Sequence, residues 1–142
     1  MSRTPISGEL RRRVAEASRL RCAYCLTSQR IIGPLLEVDH IIPEARGGSS
    51  GEENLCLCCP VCNGHKAHRE SGLDPDTGAT VPFFHPRRER WTDHFEWTEE
   101  GTIVHGKTAT GRATVRSLQV NHPDMVAVRQ LWVMAGWHPP AD

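Results

Sequence analysis

The sequence predicts an α+β fold in a single domain, residues 1–142. Three observations carry that reading: a strand, loop, strand, helix order between residues 35 and 69, two Cys-x-x-Cys pairs around it, and helical periodicity near both ends. At 142 residues the chain suits one domain with a modest core, and a metal staple would help it. The core is expected over residues 8–70, with residues 71–142 forming a hairpin-plus-helices extension packed on it.

The N-terminal helix is predicted from Ser7 as N-cap to near Arg21. Glu9 sits in the favourable first turn, and Leu10, Val14 and Ala17 share one face. Its outer face carries Arg11, Arg12, Arg13 and Arg19, either as a solvated face or as one that contacts phosphate. The run from Leu35 to Ile42 is apolar and β-branched enough for a strand, ended by Pro43 and the Gly47-Gly48 loop. A second short strand is expected from Asn54 to Cys58, followed by a helix from Asn63 to about Arg69, since Pro60 suits a turn or a first helical position. Residues 72–92, with two glycines and three prolines, read as an irregular connector. Phe95 and Trp97, then Ile103-Val104, make a hairpin; Val115 and Leu118 mark a short helix. In the last helix Met125, Val128, Leu131, Trp132 and Ala135 form a core stripe before the stop at Gly136.

Cys22 and Cys25 precede Asp39-His40, and Cys59 and Cys62 follow them. Two such knuckles supply the four thiolates of a closed tetrahedral zinc site, with a long element inserted between them. A redox dithiol or buried thiols are the plainer reading of either pair alone. Cys56 and Cys58 crowd the second knuckle and fit better as small buried hydrophobes than as ligands. No N-terminal apolar run of signal-peptide type and no stretch of 18 apolar residues is present, which predicts a cytoplasmic protein with reduced thiols and no membrane partner.

Formal charge sums to zero but is uneven: residues 1–36 carry a net +5, residues 37–101 a net −7 and residues 102–142 a net +2. A basic flank grips backbone phosphate, whereas acids near a phosphodiester repel it unless some of them bind cations.

The stretch from Val38, VDHIIPEARGGSSGEENLCLCCPVCNGHK, resembles the HNH endonuclease family in its Asp-His step, its Pro and Gly-Gly, its Asn-Leu, its Cys-x-x-Cys and its Asn-x-x-Lys. The resemblance covers about residues 8–70 and implies a treble-clef-like ββα-metal core. By order, it also implies His40 as general base, Asn54 as a structural residue and Asn63 as a ligand of the catalytic metal, with Asn where the family often has His. The tail looks like that of short bacterial HNH proteins, and no function attaches to it.

The residue types suit the chemistry on their own terms. Phosphodiester hydrolysis needs a proton acceptor for water and positive charge on the phosphate. A neutral imidazole, His40, serves the first, and a divalent metal held by hard oxygens of Asp39 and Asn63, Mg²⁺ or Mn²⁺, serves the second. Adjacent strand residues point to opposite faces, so a bend is expected at Asp39-His40. Lys66, three residues after Asn63, is expected to steady a phosphate oxygen, and His65 is the weaker rival for the third position. The sequence thus reads as a metal-dependent endonuclease nicking DNA, with double-stranded DNA as partner and an unknown protein as targeting partner. A zinc-stabilised nucleic-acid-binding module and a cysteine-based redox or metal sensor stand as alternatives.

Overall fold

A computed structural model describes residues 5–141. Helix α1, Gly8–Ala17, starts where the Ser7 hydroxyl accepts the Leu10 N–H, and it buries Val14. It stops at Ser18, short of Arg21. Arg19 and Leu20 both take a φ of 56°, and the Ser18 hydroxyl accepts the Leu57 N–H at 3.0 Å. The chain must leave the helix there to present Cys22. A single helical turn, α2, Gln29–Ile32, and a 3₁₀ turn, Gly33–Leu35, follow.

Strand β1, Glu37–His40, is shorter than expected and pairs antiparallel with β2, Leu55–Cys58, placing Asp39 opposite Cys56 and His40 opposite Leu55. The pairing is regular through His40, and the chain bends at Ile41-Ile42 instead of at Asp39-His40. Helix α3, Pro60–Lys66, begins three residues before the predicted start, with Pro60 in its first turn and the Cys59 sulfur capping the Cys62 N–H. These elements have the order strand, loop, strand, helix.

The connector is less irregular than predicted. Strands β3, Ser71–Leu73, and β4, Thr80–Pro82, form a hairpin closed by Asp74, whose buried carboxylate takes a bidentate grip from Arg112 at 2.9 and 3.0 Å. That guanidinium holds the Asp74 carboxyl well below the usual range. After a turn of helix, α4, Trp91–His94, the expected hairpin forms from β5, Phe95–Thr98, and β6, Ile103–Gly106. Helix α5, Ala109–Ser117, then α6, Pro123–Met134, complete the chain.

One hydrophobic core runs through both halves: Val14, Val38, Leu55 and the cysteines pack with Phe83, Phe84, Phe95, Val104 and Leu118. Polar clasps reinforce it, from Arg87 Nε to the Leu55 carbonyl at 2.9 Å and from Trp91 Nε1 to the Tyr24 carbonyl at 2.8 Å. The stripe predicted on α6 is corrected. Of its residues Trp132 is buried as expected and Met125 and Val128 are half-buried, but Leu131 is 63% exposed and Ala135 is also exposed, and Arg129, outside the stripe, is buried. Arg129 turns inward because carbonyls of Thr102 and Val120 accept its guanidinium, which also stacks 5.7 Å from the Trp97 ring centroid.

Candidate active site and metal centre

The metal centre is built by two backbone knuckles. In the first, the Leu26 N–H bonds the Cys22 carbonyl and the Cys22 N–H bonds the Thr27 carbonyl, with Leu26 at a φ of 61° to close the loop. The Ala23 N–H donates to the Leu57 carbonyl and docks this knuckle on β2. The second knuckle is the start of α3. Together they bring one sulfur each from Cys22, Cys25, Cys59 and Cys62 within 4.8 Å of one another, all buried.

Zinc–sulfur bonds of about 2.3 Å in a tetrahedron set sulfurs about 3.8 Å apart. The Cys25 and Cys59 sulfurs lie 3.7 Å apart. Burial opposes ionisation of Cys22, yet hydrogen bonds from Cys25, Cys58, Cys59 and Cys62 outweigh it and hold that thiol well below its ordinary value. The Cys22 bond raises Cys62 in turn, and a cation at the centre would favour the thiolate form of all four. This donor set suggests structural zinc. Cys56 and Cys58 are buried in β2 outside the four-sulfur group.

The second cluster lies where β1 ends. Lys66 is 1% exposed, and its Nζ sits 3.0 Å from Asp39 Oδ2 and 2.9 Å from the His40 carbonyl. It was expected on substrate phosphate; the structure turns it inward instead. Two oxygens of β1 converge on it, and burial of an ammonium demands such partners. Asn63 lies three positions earlier on the same helix and is half-buried. His65 differs, because its Nδ1 lies 2.8 Å from the Val61 carbonyl of its own helix.

The His40 imidazole is held through one nitrogen. Nε2 lies 3.0 Å from the Ser50 hydroxyl and 3.4 Å from a Glu44 carboxylate oxygen. Sequence reasoning missed both partners. Glu44 stands four residues after His40, but Pro43 precludes a helix there, so its spacing alone carried no signal. Asn54 stitches the intervening loop: its Oδ1 accepts the Ile42 N–H, and its Nδ2 donates to the carbonyls of Ile42 and Ser49, all at 2.8–2.9 Å. Gly48 belongs to the same seam, since a Cβ there would overlap the Ile42 carbonyl.

On α1, Arg11 and Arg12 are exposed. Arg13 instead bonds Glu52 at 2.7 Å and fastens the helix to the turn before β2. His94, which stands beside the aromatic residues, is tied to Thr108 at 2.7 Å and Glu89 at 3.1 Å.

This is a β-hairpin and helix with an Asp-His step at the strand end and a four-cysteine metal site behind it. Residues 22–69 match the HNH endonuclease family. The HNH segment is about a third of the chain and runs from the first knuckle through α3. The match suggests a nuclease-type, metal-binding protein that acts on nucleic acid. No curated protein matches the chain. No helix among the described residues is long and apolar enough to cross a membrane.

Proposed function

We propose that the chain is a metal-dependent DNA endonuclease that hydrolyses one phosphodiester strand per active site, with His40 as general base. The observation that carries the proposal is the orientation of His40: Ser50 and Glu44 engage Nε2, which favours a proton on that nitrogen and leaves the Nδ1 lone pair for water. Asn54 keeps the loop that holds both partners in place.

Asp39 and Asn63 would hold the catalytic Mg²⁺ or Mn²⁺, which supplies positive charge for the phosphate and the leaving oxygen. Their fit to a cation rests on Lys66, whose ammonium is already drawn to Asp39 and the His40 carbonyl. Lys66 is then a positioning residue that compensates and orients the Asp39 carboxylate. Arg11 and Arg12 are proposed to contact backbone phosphate at a distance from the cut, on double-stranded DNA.

The test is nicking of supercoiled plasmid with added Mg²⁺ or Mn²⁺, against an EDTA control. His40→Ala is expected to lower the rate about 10²-fold to 10⁴-fold, the usual worth of a positioned base. Full activity in that variant would remove His40 from the mechanism. One observation favours a second reading, a zinc-braced binding module that does not cut: Lys66 already neutralises Asp39 without a second metal. Plasmid binding without metal-dependent nicking would select it.

A further inference from the structure

A cleft of about 670 Å³ opens between the end of β1 and the β3–β4 hairpin. Ile41 and Ile42 line it, the two residues that follow His40, so one wall begins within two residues of the proposed base, about 7 Å of extended chain. Val81, Pro82 and Phe83 supply apolar wall from the hairpin. These walls are fixed without a ligand. The Asn54 amide holds both backbone groups of Ile42, the Phe83 N–H bonds the Glu70 carbonyl at 3.0 Å, and the Phe84 N–H bonds the Thr114 hydroxyl at 2.9 Å. A preformed, mostly apolar cleft with a few polar groups is the usual form of a binding site.

His85 is the polar group that narrows the choice of ligand. It is buried and lines the cleft. Its Nδ1 accepts the Arg87 N–H at 3.3 Å, and burial, reinforced by nearby Arg88, pushes its pKa down, so the neutral ring carries its hydrogen on Nε2. No acceptor among the described residues takes that hydrogen. A buried donor of this kind favours a ligand that brings an acceptor. The charges around it do not favour an anion: Arg88 shares the cleft with Glu70 and Glu89, and Glu89 is already bound to His94 and to the His85 N–H. A neutral group with flat apolar faces and hydrogen-bonding edges suits such walls, and a nucleobase is that group. In a duplex the base lies in the stack, so it reaches a cleft in the protein only after unstacking.

We propose that this cleft receives an unstacked base of bound DNA, from the nucleotide whose phosphate lies at His40, with the base between the apolar walls and bonded to His85 Nε2. The proposal rests on nucleic acid being the substrate and on His40 marking the cut. It adds a preference for DNA in which one base is already unpaired.

The test compares a duplex carrying one bulged 2-aminopurine with the fully paired duplex, both end-labelled for fluorescence anisotropy. The protein is the zinc-loaded full chain with His40→Ala, without Mg²⁺ or Mn²⁺, so that binding is read apart from cutting. It is expected to bind the bulged duplex about tenfold more tightly or better, because a bulged base has less pairing and stacking to give up. It should also shield the 2-aminopurine from quenching by acrylamide. Thr80→Trp, which fills the cleft from its exposed rim, is expected to abolish both the preference and the shielding. His85→Ala should reduce the preference about fivefold. Gln130→Trp, exposed on α6 and outside the cleft, is the control and should change neither. Thermal melting verifies that each variant is folded. Equal affinity for the two duplexes, no shielding, or a preference that survives Thr80→Trp overturns the proposal. Plasmid nicking by the chain with His40 intact is scored separately: a cleft-dependent preference without nicking overturns only the nuclease reading, and nicking without the preference overturns only this one.

Discussion

Lys66 shows how much a single buried charge constrains this protein. Its ammonium is matched to Asp39 and to the His40 carbonyl, so removing it takes a positive charge away from a buried carboxylate. Lys66→Met is expected to destabilise the fold by about 3–5 kcal/mol, read by urea denaturation, and Asp39→Leu in the same chain should recover much of that loss. A Lys66→Met variant as stable as the parent would show that the pair contributes nothing net. His138 makes a second residue-scale prediction. Burial, reinforced by nearby Arg129, pushes its imidazole down to about 4 from an ordinary value of 6.5. The unfolded chain therefore binds more protons between those values, so this group's contribution to stability is complete above pH 6.5 and falls progressively as the pH drops toward 4. Melting temperature followed over that window should decline less steeply in His138→Gln than in the parent. Parallel slopes would remove His138 as the source.

Between residues and the whole fold, the loop from Ile41 to Asn54 is the element on which the proposed chemistry depends. It has no sheet or α-helical ladder of its own, and the Asn54 amide supplies much of its order through bonds to Ile42 and Ser49. Asn54→Ala is expected to cost about 2–3 kcal/mol, since it leaves an N–H and two carbonyls without these partners, and to slow nicking by loosening Ser50 and Glu44 around His40. Normal stability with normal nicking would show that the loop is held by other means. The helices show the limits of periodicity at the same scale. On α1 the apolar spacing correctly marks Val14 as buried, but the helix ends early because the backbone turns left-handed at Arg19 and Leu20 to reach Cys22. On α6 the spacing holds for Trp132 but fails at Leu131, which is left on the outside, while Arg129 finds enough carbonyls to be buried.

Over the whole molecule, the four-cysteine site joins the segment after α1 to the segment after β2, and the aromatic core of the extension packs against the same region. Metal binding and folding are then expected to be linked. Loss of metal to a strong chelator should be accompanied by loss of near-ultraviolet circular dichroism and a lower melting temperature, with one zinc released per chain and restored by added zinc. A chelated protein with an unchanged melting curve would show that the metal is dispensable to the fold. Arg112 on Asp74, Arg87 on Leu55 and Trp91 on Tyr24 tie the extension to itself and to the core.

What this sequence determined by itself was local or carried by pattern. The knuckle spacing of Cys22, Cys25, Cys59 and Cys62, the α+β class, the strand run around Val38 and the Phe95–Val104 hairpin all depend on neighbours within a few positions. Tertiary structure decided what depends on distant partners. Lys66 points inward because Asp39, 27 positions earlier, offers a buried anion, and Glu44 reaches His40 because Asn54 folds the loop back on itself. Trp137 meets Arg19 and Arg30 only when the end of the chain folds onto its beginning. Spacing along a chain records which residues share a face, whereas a charge or a ring finds its partner only after distant segments have packed.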